Sequence, residues 1–534
     1  MKKRKPILAA WTAAAIVLGS CANASAAAAA ASLPFDDIAG SFAKNDILEL
    51  VKEGVVNGTG NRKFEPKKNV TRAEFAAMAD RLLKLAPVDA AMPTFADVAA
   101  KSWYYGWVEA AVQLGIVEGK SAGKFEPSAR ITRQEAAVLI VRALKVDPGS
   151  DSGSSLNYAD ADRIAPWAAP YVQAAKTLGL MGGANGKFRP SDAMTREETA
   201  AVLDRVLKDK VWSRAIHATP NMGLQLGWQN GLTTSEFKEQ VNNSTVNTLV
   251  PRWFFLEYGS VPVSSHADGS LSSWAKQNGK KVWAMLGNHS DSALTHQILS
   301  DENKRAAVIK KLTGYVKTYG LSGINVDFEN VSPEDRLSLT AFVSELGTSL
   351  RAAGAVLSID VSPDLGTDWT EAFDYEALGR YADYVVLMGY DEHWSSDPVA
   401  GSVSSFPWVQ KALNRMLSVV PAKKTILALP FYTRDWTLLP TGGASEDLTL
   451  IQQGYRIRSV AYNRLWDEEI GQYVVRYSGQ GIEHRIWVED GRSLGLKTMM
   501  AAKRGIAGYA YWYMGAETDD IWPSLRNAVR YASY

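Results

Sequence analysis

The residues best placed to do chemistry stand at alternate positions of one short run, Ser322-Gly323-Ile324-Asn325-Val326-Asp327-Phe328-Glu329. On a strand, successive side chains point to opposite faces. Ile324, Val326 and Phe328 then face one way, toward covering helices, and Asn325, Asp327 and Glu329 face the other. Burying two carboxyls and an amide on one face is costly unless they are paired or functional. Residues i and i+2 lie roughly 6–7 Å apart along a strand, close enough for two carboxyls to perturb each other. The expectation is that Asp327 stays charged while Glu329, at the strand's C-terminal end, is pushed toward holding a proton. A protonated carboxyl in that place is a general acid.

Positioning such a run requires a scaffold, and the second half of the chain spells one. Short apolar runs alternate with helix-like stretches: Met222–Trp228, Thr248–Trp253, Lys281–Leu286, Gly323–Phe328, Val356–Val361, Tyr384–Met388, Thr425–Pro430 and Ile506–Tyr511. Eight strands alternating with helices predict a (β/α)8 barrel, in which residues at strand C-terminal ends line the catalytic mouth. A doubly wound sheet would carry a glycine-rich phosphate turn after its first strand, and none is present.

The remaining composition narrows the classes. The 534 residues are 46% hydrophobic and 22% charged with a net charge of +1, which excludes long disorder, a polytopic membrane protein and a strong field for nucleic acid. A single cysteine excludes a disulfide framework and any multi-cysteine metal site. The six histidines are scattered without paired spacing, so no metal and no cofactor are expected. Trp394, Trp408, Trp436 and Trp487 fall in expected βα loops and as a group suggest sugar-stacking surfaces; His393 reads as a polar loop residue.

The N-terminus reads as an export signal over residues 1–26. Lys2, Lys3, Arg4 and Lys5 precede an apolar run from Ile7 to Gly19, followed by Ala22-Asn23-Ala24 and Ala24-Ser25-Ala26 cleavage patterns. The run is shorter than the ~20 residues a membrane span needs. Cleavage after Ala26 would leave 54 basic against 57 acidic residues, and no membrane attachment. Leu18-Gly19-Ser20-Cys21 offers the competing reading, a lipid anchor at Cys21. Both place the protein outside the cytoplasm.

Three repeats follow, assigned to 34–88, 93–147 and 157–208, with Gly149 to Ser155 as a flexible linker. Phe64-Glu65-Pro66, Phe125-Glu126-Pro127 and Phe188-Arg189-Pro190 each precede, at the same offset, Thr71-Arg72-Ala73-Glu74, Thr132-Arg133-Gln134-Glu135 and Thr195-Arg196-Glu197-Glu198. Threonine with glutamate three residues on is a capping box that starts a helix. A cation in the first helical turn opposes the macrodipole. Arg72, Arg133 and Arg196 are therefore expected to meet an anionic ligand near the helix N-termini rather than to be solvated.

These boxes, with their repeat openings Phe35-Asp36-Asp37, Phe95-Ala96-Asp97 and Tyr158-Ala159-Asp160, resemble S-layer homology domains. The resemblance implies an all-α, pseudo-threefold module that grips pyruvylated secondary cell-wall polymer, with Arg72, Arg133 and Arg196 as carboxylate ligands. The third repeat departs from the pattern, with Arg189 in place of glutamate and an altered turn at Met181-Gly182.

Residues 215–534 resemble glycoside hydrolase family 18. Asp327 and Glu329 match the last two acids of its fourth-strand signature, and Ser322 and Asn325 replace the first two. Met388-Gly389-Tyr390-Asp391 resembles the sixth-strand motif, Pro430-Phe431-Tyr432-Thr433-Arg434 the seventh-strand motif, and Trp512 the eighth-strand tryptophan. The wording Asn-Val-Asp-Phe-Glu-Asn, and Arg485 to Asp490 within a small α+β insertion before the last strand, are similar to the branch acting on spore and cell-wall peptidoglycan. The resemblance implies a retaining, substrate-assisted glycosidase without a carboxylate nucleophile. In it Glu329 is acid and base, Asp327 holds the acetamido N–H and Tyr390 donates to the acetamido oxygen. Trp512 would floor the sugar site, with Asn325, Asp391, Met388, Tyr432 and Arg434 contributing to substrate binding. The leading expectation is a wall-anchored β-N-acetylglucosaminidase of peptidoglycan. The competing readings are a surface chitinase and a non-catalytic sugar-binding or structural S-layer protein.

Overall fold

A computed structural model describes residues 33–121, 123–149, 156–366, 370–439 and 444–534. The expected export signal with Cys21, and the linker residues 150–155, lie outside the described residues.

The first part is helical. Each repeat carries a first helix (Lys44–Lys52, Tyr105–Gln113, Ala169–Thr177) and a second one (Arg72–Leu82, Arg133–Ala143, Arg196–Lys208). Thr71, Thr132 and Thr195 cap the second helices. Each hydroxyl accepts the N–H of Glu74, Glu135 or Glu198, whose carboxylate accepts the threonine N–H in return. The segments before these caps close on one another in a ring: Val70 N–H donates to Met194 O at 2.9 Å, Met194 N–H to Ile131 O at 3.0 Å, and Ile131 N–H to Val70 O at 3.0 Å. That cycle is the expected pseudo-threefold axis. Asp37, Asp97 and Asp160 each accept two backbone N–H groups from a Phe-x-Pro turn. They hold Glu65, Glu126 and Arg189 in the left-handed region at φ 57°, 58° and 60°. Arg189 therefore departs from the other two repeats in side chain and not in backbone.

The second part is the expected barrel. Its eight parallel strands are Leu224–Gln229, Thr248–Pro251, Lys281–Gly287, Gly323–Asp327, Val356–Val361, Tyr384–Met388, Thr425–Pro430 and Gly508–Trp512. They pair in chain order, and Leu224 to Gly227 against Gly508 to Tyr511 closes the cylinder. Ile324, Val326 and Phe328 lie under the helices, with Phe328 stacked on Phe342 of the helix Arg336–Ala352. The interior packs Leu226, Trp228, Trp283, Met285, Ile426 and Ala510 around the buried Asn325.

Between the seventh and eighth strands sits the α+β insertion. Five antiparallel strands run in the order Ala444–Thr449, Tyr432–Thr437, Ile482–Val488, Gln472–Gly479, Tyr462–Asp467, with the helix Leu450–Arg458 beside them. The last helix, Ile521–Ala532, docks the barrel onto the repeats. Asn527 exchanges two hydrogen bonds with the Ala86 backbone at 2.9 and 2.8 Å, and the Tyr531 hydroxyl donates to Arg142 O at 2.6 Å.

Closure leaves no room at Gly508, where a Cβ would stand 2.0 Å from Leu224 O. Gly508→Ala should lower stability by at least ~2 kcal/mol through overpacking at the seam. Gly495→Ala, on the helix Gly491–Ala502 with its nearest neighbour 3.9 Å away, should be neutral or stabilising. Thermal melts of both variants check this; equal melting temperatures would remove the claim.

Candidate active site

The fourth strand delivers its three polar residues as the alternation requires, at increasing distance from the barrel core. Asn325 is fully buried, Asp327 partly covered, and Glu329 exposed at the rim. Every polar atom of Asn325 is used: Oδ1 accepts from the Trp228 indole at 3.1 Å, and Nδ2 donates to Ser358 Oγ at 3.0 Å and Asp360 Oδ1 at 2.7 Å.

Glu329 is held twice. Its carboxylate accepts from the Ser290 hydroxyl at 2.6 Å. Its peptide is clamped by Asn288, just past the third strand, which accepts the Glu329 N–H at 3.1 Å and donates to the Glu329 carbonyl at 2.7 Å. The sequence reading missed Asn288, because its work is done on backbone and no motif spacing marks it.

The expectation that Asp327 stays charged is not met. Desolvation, and then the Glu329 carboxylate, push its carboxyl up to about 7, against the opposing pull of Arg252. Strand spacing treats the two acids alike, whereas burial penalises charge at the inner one. Asp360 of the fifth strand is fully buried, and burial plus Asp327 holds its carboxyl well above the usual range. The sequence reading did not single it out.

The other predicted residues gather at the same mouth. Tyr390 is buried, with its ring centroid 6.1 Å from that of Tyr432. Asp391 accepts from the Tyr432 hydroxyl at 2.6 Å and from Arg434 at 3.0 Å, and Arg434 also donates to the His393 carbonyl at 2.7 Å. The inserted sheet thus braces the loop after the sixth strand. Trp512 and Met388 border the inner core, Trp512 edge-on to Trp228 at 5.8 Å. Arg252 lies 5.8 Å from the Trp512 ring and 5.6 Å from Phe255, which stacks on His289 at 4.6 Å. Phe255 and His289 extend the aromatic wall beyond the sequence reading. The tryptophan group divides: Trp394 is exposed, but Trp436 is buried with its indole on Gly401 O at 2.9 Å, and Trp408 packs against the outer core. His393 is held by Asp397 at 2.9 Å as a loop residue.

The repeat arginines are neither solvated nor free. Nε of Arg72, Arg133 and Arg196 donates to the carbonyl of Phe125, Phe188 and Phe64 in the following repeat, at 2.9, 2.9 and 2.7 Å. Their outer nitrogens reach Glu118 O, Gly182 O and Asn57 O. Backbone carbonyls thus partner all three, and Arg72 and Arg133 also face the carboxylates of Glu135 at 3.3 Å and Glu198 at 3.7 Å. Two of these arginines also line inter-repeat grooves of about 330 and 300 Å³, Arg72 with Lys120, Arg142 and Trp167, and Arg133 with Arg189, Arg205 and Phe42.

Where the sequence suggested no metal-ligand spacing, the fold brings His296, Glu334 and Asp335 together, with donor atoms within 4.8 Å of one another. His296 Nδ1 and Asp335 hydrogen-bond at 2.9 Å, so these groups partner each other.

Residues 254–517 match the model of glycosyl hydrolases family 18, and residues 34–76, 94–137 and 157–200 match the S-layer homology domain. The chain carries a family 18 glycoside hydrolase domain behind three S-layer homology domains. It is 25% identical over 321 residues to the uncharacterized glycosylase YvbX of Bacillus subtilis, covering 58% of this chain and 92% of that one. It is 29% identical over 315 residues to the cortical fragment-lytic enzyme of Bacillus cereus, covering 55% of this chain and 72% of that one. It spans about half the length of two further curated relatives from Bacillus subtilis. The fold is also that of the Bacillus cereus spore cortex-lytic enzyme SleL, at TM-score 0.53 and 22% identity over 58% of this chain and 75% of that one.

Two substitutions probe the acids. Glu329→Gln keeps the Ser290 contact but carries no exchangeable acid proton, and should lower hydrolysis at least ~100-fold with sugar binding retained. Activity within tenfold of the unmodified enzyme would remove Glu329 from that role. Asp327→Asn tests linkage. The folded state keeps a proton on Asp327 that the unfolded chain releases near 3.8, so stability falls as pH rises from there to about 7. The variant should flatten that fall and melt higher at pH 8 than the parent; a lower melting temperature at pH 8 would contradict the raised carboxyl.

Proposed function

We propose that the enzyme cleaves β-1,4 bonds next to N-acetylglucosamine in peptidoglycan, by a retaining, substrate-assisted mechanism, while its repeats hold it to secondary cell-wall polymer. The observation that carries the mechanism is the placement of the acids. A two-carboxylate retaining enzyme needs its nucleophile about 5 Å from the acid across the scissile bond. Asp327 and Asp360 stand below Glu329 on the barrel side, one on the same strand and the other on the next. Neither faces Glu329 across a cleft, and the substrate's own acetamido oxygen takes the nucleophile's place.

In this reading Glu329 gives its proton to the leaving oxygen. The acetamido carbonyl closes on the anomeric carbon, and Asp327 accepts the acetamido N–H and faces the positive charge of the cyclic intermediate. Tyr390 donates to the acetamido oxygen and aims it; its hydroxyl keeps its proton because burial and Asp327 both raise it. Trp512 underlies the ring. Glu329, now a carboxylate held by Ser290 and Asn288, takes a proton from water, which opens the intermediate with retention.

Peptidoglycan is favoured over chitin as substrate by the likeness to the cortical fragment-lytic enzyme and by the coupling of this barrel to surface-layer repeats in one chain. The grooves lined by Arg72, Lys120 and Arg142 with Glu118 and Glu135, and by Arg133, Arg189 and Arg205 with Glu198, carry an excess of cations beside Trp167 and Phe42, which suits an anionic glycan such as a pyruvylated polymer. In this reading the protein works outside the cell, on the wall, which the S-layer homology domains support.

Mass spectrometry of products from purified peptidoglycan and chitin, digested side by side, tests substrate and mechanism together. Muropeptides with N-acetylglucosamine at the reducing end, and inhibition by an N-acetylglucosamine thiazoline, are expected. Preferential release of chitooligosaccharides would reverse the substrate assignment. A glycosyl ester trapped on any Asp or Glu would overturn the mechanism.

A further inference from the structure

The loops after the first three barrel strands build an arc along the rim, from Trp512 toward Glu329. Arg252 follows the second strand directly and is exposed. From behind, its Nη1 donates to Asn230 Oδ1 at 2.7 Å, in the loop after the first strand. Its guanidinium lies over two rings, Phe255 at 5.6 Å and Trp512 at 5.8 Å. Phe255 stacks on His289, and the next residue, Ser290, holds the Glu329 carboxylate. The arc therefore joins the Trp512 ring to the acid.

The charge at Arg252 is left for something outside the protein. Among the described residues it enters no ion pair, and the acids of the neighbouring loops are taken up elsewhere: Glu257 lies 3.5 Å from His289, and Asp291 accepts from the Tyr258 hydroxyl at 3.0 Å. Arg434, at the same mouth, is buried and committed to Asp391, Asp447 and the His393 carbonyl. A guanidinium carries its N–H donors in a planar fork that matches a carboxylate. Asn230 engages one nitrogen of that fork at Arg252 and leaves the rest of it facing the cleft rim.

The two glycans under comparison differ in one place that such a group could read. In peptidoglycan the sugar that gives its O4 to N-acetylglucosamine is muramic acid, whose O3 carries a lactyl ether. That ether stands on the carbon next to the leaving oxygen. Its carboxyl is an anion when free and a carbonyl acceptor when it carries peptide. Chitin has a plain hydroxyl there. Glu329 must reach the leaving oxygen, so the O3 substituent of that sugar falls beside Glu329, where the rim runs from Ser290 through His289 and Phe255 to Arg252.

We propose that Arg252 is a specificity-determining residue that takes the lactyl carboxyl of the muramic acid providing the leaving oxygen. Asn230 holds one edge of the guanidinium, and Phe255 and Trp512 limit its swing. The inference rests on peptidoglycan being the substrate, and it names the feature by which this chain tells that glycan from chitin.

The test compares two substrates on the full chain. One is an oligosaccharide of alternating N-acetylglucosamine and N-acetylmuramic acid, freed of peptide by an amidase; the other is chitotetraose. The readout is the ratio of their kcat/KM values, in which any loss of folded enzyme cancels. Arg252→Met should lower the preference for the lactyl-bearing glycan at least ~10-fold, mainly through KM, the scale of one lost charge-assisted hydrogen bond. Arg252→Lys keeps the charge without the fork and should recover only part of it. If Arg252 acted only through its pull on Asp327, both substrates would suffer alike and the ratio would stand. A smaller fall in the ratio, or a larger loss on chitotetraose, overturns the proposal. Should Arg252→Met be too slow to assay, binding of the two oligosaccharides to Glu329→Gln, with and without Arg252→Met, gives the same comparison without turnover. The parent separates the two readings. A parent without preference for the lactyl-bearing glycan removes peptidoglycan as substrate and this inference with it, whereas a parent preference that survives Arg252→Met sinks only the role of Arg252.

Discussion

Inside the closed barrel, a buried polar group costs stability unless another group bonds it. The chain from Trp228 through Asn325 to Ser358 and Asp360 meets that constraint across three strands, except at Asp360 Oδ2. Its direction is fixed by one donor-only indole, which orients an amide, which in turn orients a carboxyl. The acids above it inherit their places from this chain. Asp327 lies one pleat higher than Asn325, and Glu329 one pleat higher again, where Asn288 grips its peptide from the next strand. A loosened Asn325 would cost the barrel its buried hydrogen bonds and the acids their alignment at once.

The repeats answer a related constraint by different means. Three short helices begin around one axis, and their first turns crowd positive ends and arginines together. The structure spends backbone carbonyls on the problem: each arginine clasps the Phe-x-Pro turn of the following repeat, and the cycle closes from the third repeat to the first. The aspartates that hold those turns in a left-handed bend aim the carbonyls at the arginines. The clasp joins the repeats, and the other cations of the two groove walls are paired as well, Lys120 with Glu135, Arg142 with Glu118 and Arg189 with Glu198.

What was legible in the sequence follows from range. Strands and helix starts are local: all eight barrel strands show as apolar runs, and the threonine–glutamate boxes cap the helices where they were read. The alternation of Asn325, Asp327 and Glu329 is local too, and it placed them on one face. Partners from distant segments were not legible. Asp360 is a lone acid in an otherwise ordinary strand until the barrel sets Ser358 beside Asn325. Asn288 matters through the backbone of Glu329. The carbonyls that receive Arg72 lie 46 and 53 residues away. Trp436 and Trp408 were grouped with the sugar wall because loop position does not say which face a ring takes, and packing turned both away from it.

The raised carboxyl of Asp327 shows why burial must be weighed before spacing. Two carboxyls a pleat apart look equivalent on a strand, and their mutual repulsion raises whichever is the more costly to charge. Depth makes Asp327 the costly one. Glu329 stands at the exposed rim, where Ser290 steadies its carboxylate and solvent can return its proton after each turnover. Asp327 is partly covered one pleat below, where burial and the Glu329 carboxylate raise its carboxyl against the pull of Arg252.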